Sequence, residues 1–262
     1  MNRLKALLQI LIFAMSLQAS AALSESGVFA HRGYSKAFPE NTLIAIRGAL
    51  DLGVQGIEID VRRTKDGELV LMHDSFVNRT TNGSGLIDMM SFAKVRSLDA
   101  GSWKGPQYKG ERVPTLREAL SIIPKDIWIN LHIKDSKVVG AVAKLIVELG
   151  LQDQALIACS EKDIALVKAI DPALKTVNMT RGKNYVDRSK ANGADWLQFR
   201  DDDGLASATD LARARALGLK SNECEVSDPN AIAELYSRGI DFVMSDDAAT
   251  AVRVYNELRS NR

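Results

Sequence analysis

Cysteine and histidine are both scarce in this chain. Among 262 residues there are two cysteines and three histidines. Two cysteines cannot build a disulfide scaffold or a four-cysteine zinc site. An excess of one charge is also missing, with 34 Lys and Arg against 33 Asp and Glu. A net charge this close to zero gives no global pull towards nucleic acid or an anionic membrane. No nucleic-acid partner is therefore expected. There is no internal repeat, low-complexity run, interdomain linker or coiled coil. What is present is an ordinary globular composition, 46% hydrophobic and 26% charged. The length suits one large domain such as an α/β barrel of roughly 250 residues, or two small ones. With so little histidine, the positions of His31, His73 and His132 are informative.

The first segment stands apart. A short basic start with Arg3 and Lys5 precedes an apolar run over 6–15, broken by Gln9. Small residues follow at Ala19, Ser20, Ala21 and Ala22. This is the three-part layout of a secretory signal, expected over 1–21 and removed on export to the periplasm or outside the cell. The apolar run is shorter than the roughly 20 residues that span a bilayer, so no stable membrane anchor is expected. An uncleaved anchor and a buried N-terminal helix are the alternatives. No cysteine follows the run, which excludes lipoprotein processing. Cys159 and Cys224 would sit in an oxidising compartment, and whether they pair is not legible.

Beyond residue 27, strand-length apolar runs alternate with helix-period segments. Strands are expected near 28–30, 56–61, 69–73, 127–133, 155–159, 175–179, 196–199, 219–222 and 241–244. Helices are expected near 41–52, 138–149, 160–171, 208–216 and 230–237, with Ser160 as an N-cap. Such alternation predicts βα units and a parallel sheet. Nine strands are one more than a (β/α)8 barrel needs. Asp66-Gly67 accounts for the surplus, because it is a strong hairpin turn signal. A two-residue turn there places His73 opposite Asp60. A parallel strand without its helix is the alternative, and it still brings His73 to that face. Residues from 75 to about 114 fit no βα unit and are rich in Gly, Ser, Thr and Asn. They predict a small insertion after the third strand, over the catalytic face of a single barrel domain spanning 22–262.

Three polar clusters end the early strands: His31-Arg32-Gly33 with Pro39-Glu40-Asn41-Thr42, then Glu58-Ile59-Asp60, then His73-Asp74. Alternate residues of a strand share a face, so Glu58 and Asp60 point the same way. Two like charges aimed into a barrel are costly to bury unpaired. A divalent cation would remove that cost.

Over 28–74 the chain resembles the glycerophosphodiester phosphodiesterase family, on these three clusters and the hairpin. The resemblance continues through Arg79-Thr80-Thr81-Asn82-Gly83-Ser84-Gly85 and Val113-Pro114-Thr115-Leu116, and returns at Gly239-Ile240-Asp241 and Ser245-Asp246. It implies a TIM barrel that hydrolyses a glycerophosphodiester to glycerol phosphate and an alcohol. By the same resemblance, His31 and His73 are the general acid and base, in an order left open. Glu58 and Asp60 bind one divalent cation, Ca²⁺ or Mg²⁺. Arg32, Lys134 and Glu40 line the phosphate.

Two departures stand out. His132 replaces a third metal-binding glutamate on the fourth strand, two residues before Lys134. Either a ligand is lost or His132 is itself a ligand, which would suit Zn²⁺, Mn²⁺ or Fe²⁺ better. On the eighth strand, Cys224-Glu225-Val226-Ser227 stands where the family has Trp-Thr-Val-Asn. An aromatic wall is lost, and Glu223 and Glu225 add acid. They are solvated carboxylates, contacts for a cationic headgroup, or a replacement metal ligand. The alternatives to the leading reading are a lysophospholipase D-like or other phosphodiesterase, and a disabled phosphodiester-binding barrel.

Overall fold

The computed structural model describes residues 22–200 and 204–260. The expected signal over 1–21 lies outside them. Strands β1 (Gly27–Ala30), β2 (Gly56–Arg63), β4 (Trp128–Ile133), β5 (Ala155–Cys159), β6 (Lys175–Asn178), β7 (Trp196–Arg200), β8 (Lys220–Cys224) and β9 (Phe242–Ser245) are parallel neighbours in that order. Pairing of β9 with β1 and of β1 with β2 closes them into a barrel. The extra strand β3 (Leu69–Leu71) is antiparallel to β2. Helices α1 (Leu43–Asp51), α3 (Leu116–Ile122), α4 (Val139–Glu148), α5 (Glu161–Ile170), α6 (Tyr185–Ala191), α7 (Ala208–Ala216), α8 (Pro229–Arg238) and α9 (Ala248–Ser260) alternate with the barrel strands. A short α2 (Phe92–Arg96) lies between β3 and α3. This is the expected (β/α)8 architecture.

Period-2 alternation divides every strand. Val28, Ile57, Ile59, Ile129, Leu131, Ile157 and Val243 pack outward in the helix-covered core. Phe29, Trp128, Trp196 and Phe242 point inward as one plug, with ring centroids 4.8 to 6.1 Å apart. Two residues further along the inward faces, the plug gives way to polar groups. Glu58 and Asp60 on β2 stand in register with Asn130 and His132 on β4. His31 follows β1 two residues beyond Phe29.

Local signals set the helix starts. Thr42 caps α1 by accepting from the Ala45 amide. Thr115 and Glu118 form a reciprocal capping box on α3. Asp228 caps α8, which opens on Pro229 and ends at Gly239 with φ of 95°. Ser160 does precede α5, but its hydroxyl bonds the Asp163 carboxylate rather than the backbone.

The hairpin is antiparallel as expected, but its register is one residue away from expectation. Val61 faces Leu71 and Arg63 faces Leu69, so Met72, not His73, falls opposite Asp60. The turn uses three residues, Lys65-Asp66-Gly67, closed by the Thr64 amide donating to Glu68. Gly67 takes the positive φ of 92° that a three-residue hairpin needs at its last position. His73 lies just past the strand end, where the Arg62 guanidinium holds its carbonyl.

Between β3 and α3 the chain builds its own small core from Val77, Ile87, Val95, Leu98, Ala100 and Val113, against Val70 and Met72 of the hairpin. Tyr108 and Lys104 tie it to the Ala37 and Ser35 carbonyls of the β1–α1 loop.

Candidate active site

At the C-terminal mouth of the barrel, His31-Arg32-Gly33 turns sharply off β1. Arg32 adopts φ of 57°, a left-handed conformation costing of order 1–3 kcal/mol for a side-chain-bearing residue. In return its amide donates to Glu58 Oε2 at 2.8 Å. Gly33 is required next, because a Cβ there would meet the α1 backbone at Ala45 within 2.7 Å.

His31 and His73 are held alike. His31 Nδ1 lies 2.8 Å from Asp246 Oδ1, and His73 Nδ1 lies 2.6 Å from Asp74 Oδ1. In both cases the carboxylate fixes the ring and leaves Nε2 for other work. Nε2 of His31 sits 3.8 Å from Glu58 and 3.6 Å from Glu225. The environments differ in sign. Burial works against charging His31, yet the Glu58 carboxylate and the Asp246 hydrogen bond outweigh it and raise its pKa. Burial lowers His73, and nearby Asp60 and Asp74 do not restore it. Asp246 is drawn down to about 2, against its burial, by the bond to His31.

Arg32, Glu40 and Arg79 form one network. Arg79 donates to both Glu40 oxygens and both Asp74 oxygens, at 2.7 to 3.1 Å. Arg32 reaches Glu40 at 3.0 Å and lies 3.3 Å from Asp60. Glu40 therefore faces two guanidinium groups and orients them.

Glu58 and Asp60 are fully buried. Burial, then the Asp60 charge, pushes Glu58 up to about 8. Asp60 stays well below the usual carboxylate range despite burial, because His132 and Lys134 stand beside it. Asn41 clamps Asp60, donating to Oδ2 at 2.8 Å and accepting from the Asp60 amide at 3.0 Å. Yet Glu58 Oε1 and Asp60 Oδ1 accept no hydrogen bond from the described residues. Lys134 approaches Asp60 Oδ1 at 3.1 Å as an ion pair. His132 Nδ1 points at both carboxylates, 3.7 Å from Glu58 and 3.4 Å from Asp60, and accepts from Lys134 Nζ at 3.1 Å. Its burial lowers its pKa, which favours the neutral ring. Ligand atoms of Glu58, Asp60 and His132 all lie within 4.8 Å of one another. Two unsatisfied carboxylate oxygens and one unprotonated ring nitrogen are a donor set that fits a divalent cation.

All eight residues expected at the site converge there. Glu223 does not join them, because it is on the outward face of β8 and accepts from the Ala206 amide. Glu225, beyond the strand end, does reach the mouth. Cys159 and Cys224 are both buried and unpaired, one facing the helices and the other the barrel interior. Sequence reasoning assigned no role to Asn41, Asp74, Arg79 or Asp246. Each stood inside a motif already quoted: Asn41 beside Glu40, Asp74 beside His73, Arg79 at the start of its stretch, and Asp246 in Ser245-Asp246. A concavity of about 840 Å³ at the opposite end, near Ser24, Lys220 and Tyr255, carries none of these groups.

The class is thus a (β/α)8 barrel with carboxylates, imidazoles and fixed cations gathered at its C-terminal mouth. The model of the glycerophosphoryl diester phosphodiesterase family matches residues 31–250, and the chain belongs to that family. A glycerophosphodiester phosphodiesterase of Caldanaerobacter subterraneus subsp. tengcongensis is 41% identical over 155 residues, 56% of this chain and 64% of that relative. The match thus spans under two thirds of that relative's length. An Oleispira antarctica phosphodiesterase solved with sn-glycerol-3-phosphate superposes with a TM-score of 0.79 at 29% identity, covering 87% of this chain and 96% of that one. The glycerophosphodiester phosphodiesterase of Agrobacterium tumefaciens gives 0.78 at 25% identity, covering 87% and 99%.

Proposed function

We propose that the protein is a cation-dependent phosphodiesterase that hydrolyses a glycerophosphodiester to glycerol phosphate and an alcohol. The observation that carries this reading is the pair of histidine–aspartate dyads around one carboxylate cluster. Phosphodiester hydrolysis needs a group that takes a proton and one that gives a proton, on opposite sides of one phosphorus. Arg32 and Lys134 supply fixed positive charge for the non-bridging oxygens. Glu58, Asp60 and His132 would hold the divalent cation, whose charge would offset that building on the phosphoryl oxygens.

His73, kept neutral by burial, takes the proton from the attacking hydroxyl as its oxygen bonds to phosphorus. His31, whose pKa Glu58 and Asp246 raise, gives its Nε2 proton to the departing alkoxide as the old bond breaks. The nucleophile is water or the neighbouring glycerol hydroxyl, the latter giving a cyclic phosphate first. Glu40, Arg79 and Asp74 hold Arg32 and His73 in place.

Incubating the purified protein with several glycerophosphodiesters and two or three cations, and measuring released alcohol, tests the reading. Release that depends on the cation supports it. Silence across the panel with ligand binding retained favours a disabled binding barrel. We also propose that residues 1–21 direct export. Fractionating expressing cells and sequencing the mature N-terminus checks this, with a start near Ala22 expected.

A further inference from the structure

Beside the carboxylate cluster the mouth holds a second group of ligand atoms. His31 ends β1, Cys224 ends β8 on its inward face, and Glu225 follows it. One ring nitrogen, the thiol sulfur and one carboxylate oxygen lie within 4.8 Å of one another. We propose that His31, Cys224 and Glu225 form a second, thiophilic cation site, which takes Zn²⁺ and switches the enzyme off by capturing the nitrogen that protonates the leaving alcohol.

Three features support it. The donor types are a thiol that ionises on binding, against a burial that raises its pKa, with an imidazole and a carboxylate, the set that zinc prefers and that Ca²⁺ or Mg²⁺ do not. His31 already has the outer support of a metal-bound histidine, since Asp246 fixes Nδ1 and aims Nε2 inward. Glu58 lies between the two groups, with Oε2 3.8 Å from His31 and Oε1 3.7 Å from His132. It can supply a fourth donor to the zinc without leaving the first group. Arg32, 3.7 Å from Glu225, competes for that carboxylate and makes the site weaker than a dedicated zinc cage.

On binding, the cation replaces the Cys224 thiol proton and the Nε2 proton of His31, both of which pass to solvent, and accepts the Nε2 lone pair so freed. No oxidant or reductant is involved. A ring nitrogen bonded to zinc has no proton to give, so departure of the alkoxide loses its acid. The inhibition rests on the phosphodiesterase reading, whereas the binding does not.

The test uses Co²⁺ as a coloured stand-in for Zn²⁺. The purified protein with Co²⁺ should show a near-ultraviolet thiolate-to-cobalt charge-transfer band that Zn²⁺ abolishes. Cys224→Ser should lack the band and hydrolyse substrate at the unmodified rate without zinc. Removing even an outer partner of a metal ligand costs about 10–100-fold in affinity, so Cys224→Ser should need at least about tenfold more Zn²⁺ for half inhibition. Glu225→Gln, altering a side chain 37% exposed, should keep the fold and weaken Co²⁺ binding by about tenfold or more. A missing band in the unmodified protein, a band that survives in Cys224→Ser, or equal zinc sensitivity of the two proteins would overturn the site. A protein silent on every substrate counts against the phosphodiesterase reading, and the band then decides the site alone.

Discussion

At the mouth of the barrel, two like residues are set apart by their neighbours. His31 sits among Glu58, Asp246 and Glu225, and His73 sits where burial dominates. If His31 is the acid, its loss matters only when the leaving group needs a proton. His31→Gln should lower kcat on an alkyl phosphodiester by about 10²–10⁴-fold, and far less on a 4-nitrophenyl diester, whose phenolate departs unaided. His73→Gln should slow both alike. Steady-state rates on the two substrates check this, and equal losses for His31→Gln would reverse or remove the assignment. His132 gives the second prediction at this scale. A neutral imidazole facing two carboxylates should favour Mn²⁺ over Ca²⁺ and Mg²⁺. Restoring an oxygen donor with His132→Glu should reverse that order. Calorimetric titration of both proteins with the three ions decides, and unchanged Ca²⁺ or Mg²⁺ dependence in both would sink the idea.

The segment between β3 and α3 shows what a single carboxylate can do for an element. Asp99 accepts from the Gly101, Ser102 and Gly110 amides and from the Ser102 hydroxyl, at 2.8 to 3.0 Å. The Ser102 amide leads in holding its pKa far below the ordinary aspartate value. A depressed folded pKa means stability that is fully present above the unfolded value of about 3.9 and is lost as pH falls below it. Amides over 99–111 should thus keep their hydrogen-exchange protection at pH 6, begin to lose it below about pH 4, and lose most of it only well below about pH 3. Asp99→Asn should lack the pH-dependent part, and equal pH dependence in both proteins would remove Asp99 from the account. Elements of this kind were the least legible in the sequence. Hydrophobic alternation located all nine strands, since it reports which face is buried. It did not specify whether Asp66-Gly67 is a two-residue or a three-residue turn, and that choice moved His73 by one position. Helix α3 escaped notice although its capping box, Thr115 to Glu118, was readable. Helices α6 and α9 also escaped, the first being short and opening on a left-handed Asn184. At the site, residues on consecutive early strands were legible because motif and face coincide. Asp246 was not, because it reaches His31 only when β9 closes on β1.

The barrel as a whole separates what holds it together from what it does. Its inward faces carry an aromatic plug at one end and charged groups at the other, joined by the strands themselves. The buried Asn130 and Asn222 lie on those same inward faces, two residues on from Trp128 and two before Cys224. Conserving the closed strand geometry is the plug's task, and the proposed proton transfer belongs to the mouth. Trp196 is the largest fully buried side chain, and it contacts Phe29, Trp128 and Phe242. Replacing it with alanine leaves a void that its neighbours, fixed to three different strands, can fill only in part. The cost should be about 3–5 kcal/mol, as for other buried aromatic truncations. For a chain of this size that corresponds to a melting temperature lower by about 10 °C. Its ring partners Phe29, Trp128 and Phe242 carry none of the proposed catalytic groups, so KM and the pH dependence of the remaining folded protein should stay as they were. Thermal denaturation and steady-state kinetics on Trp196→Ala measure the two halves separately. A large change in KM at a temperature where the variant is still folded would mean that plug and mouth are mechanically one unit, with strain in the plug reaching the carboxylates through β2 and β4.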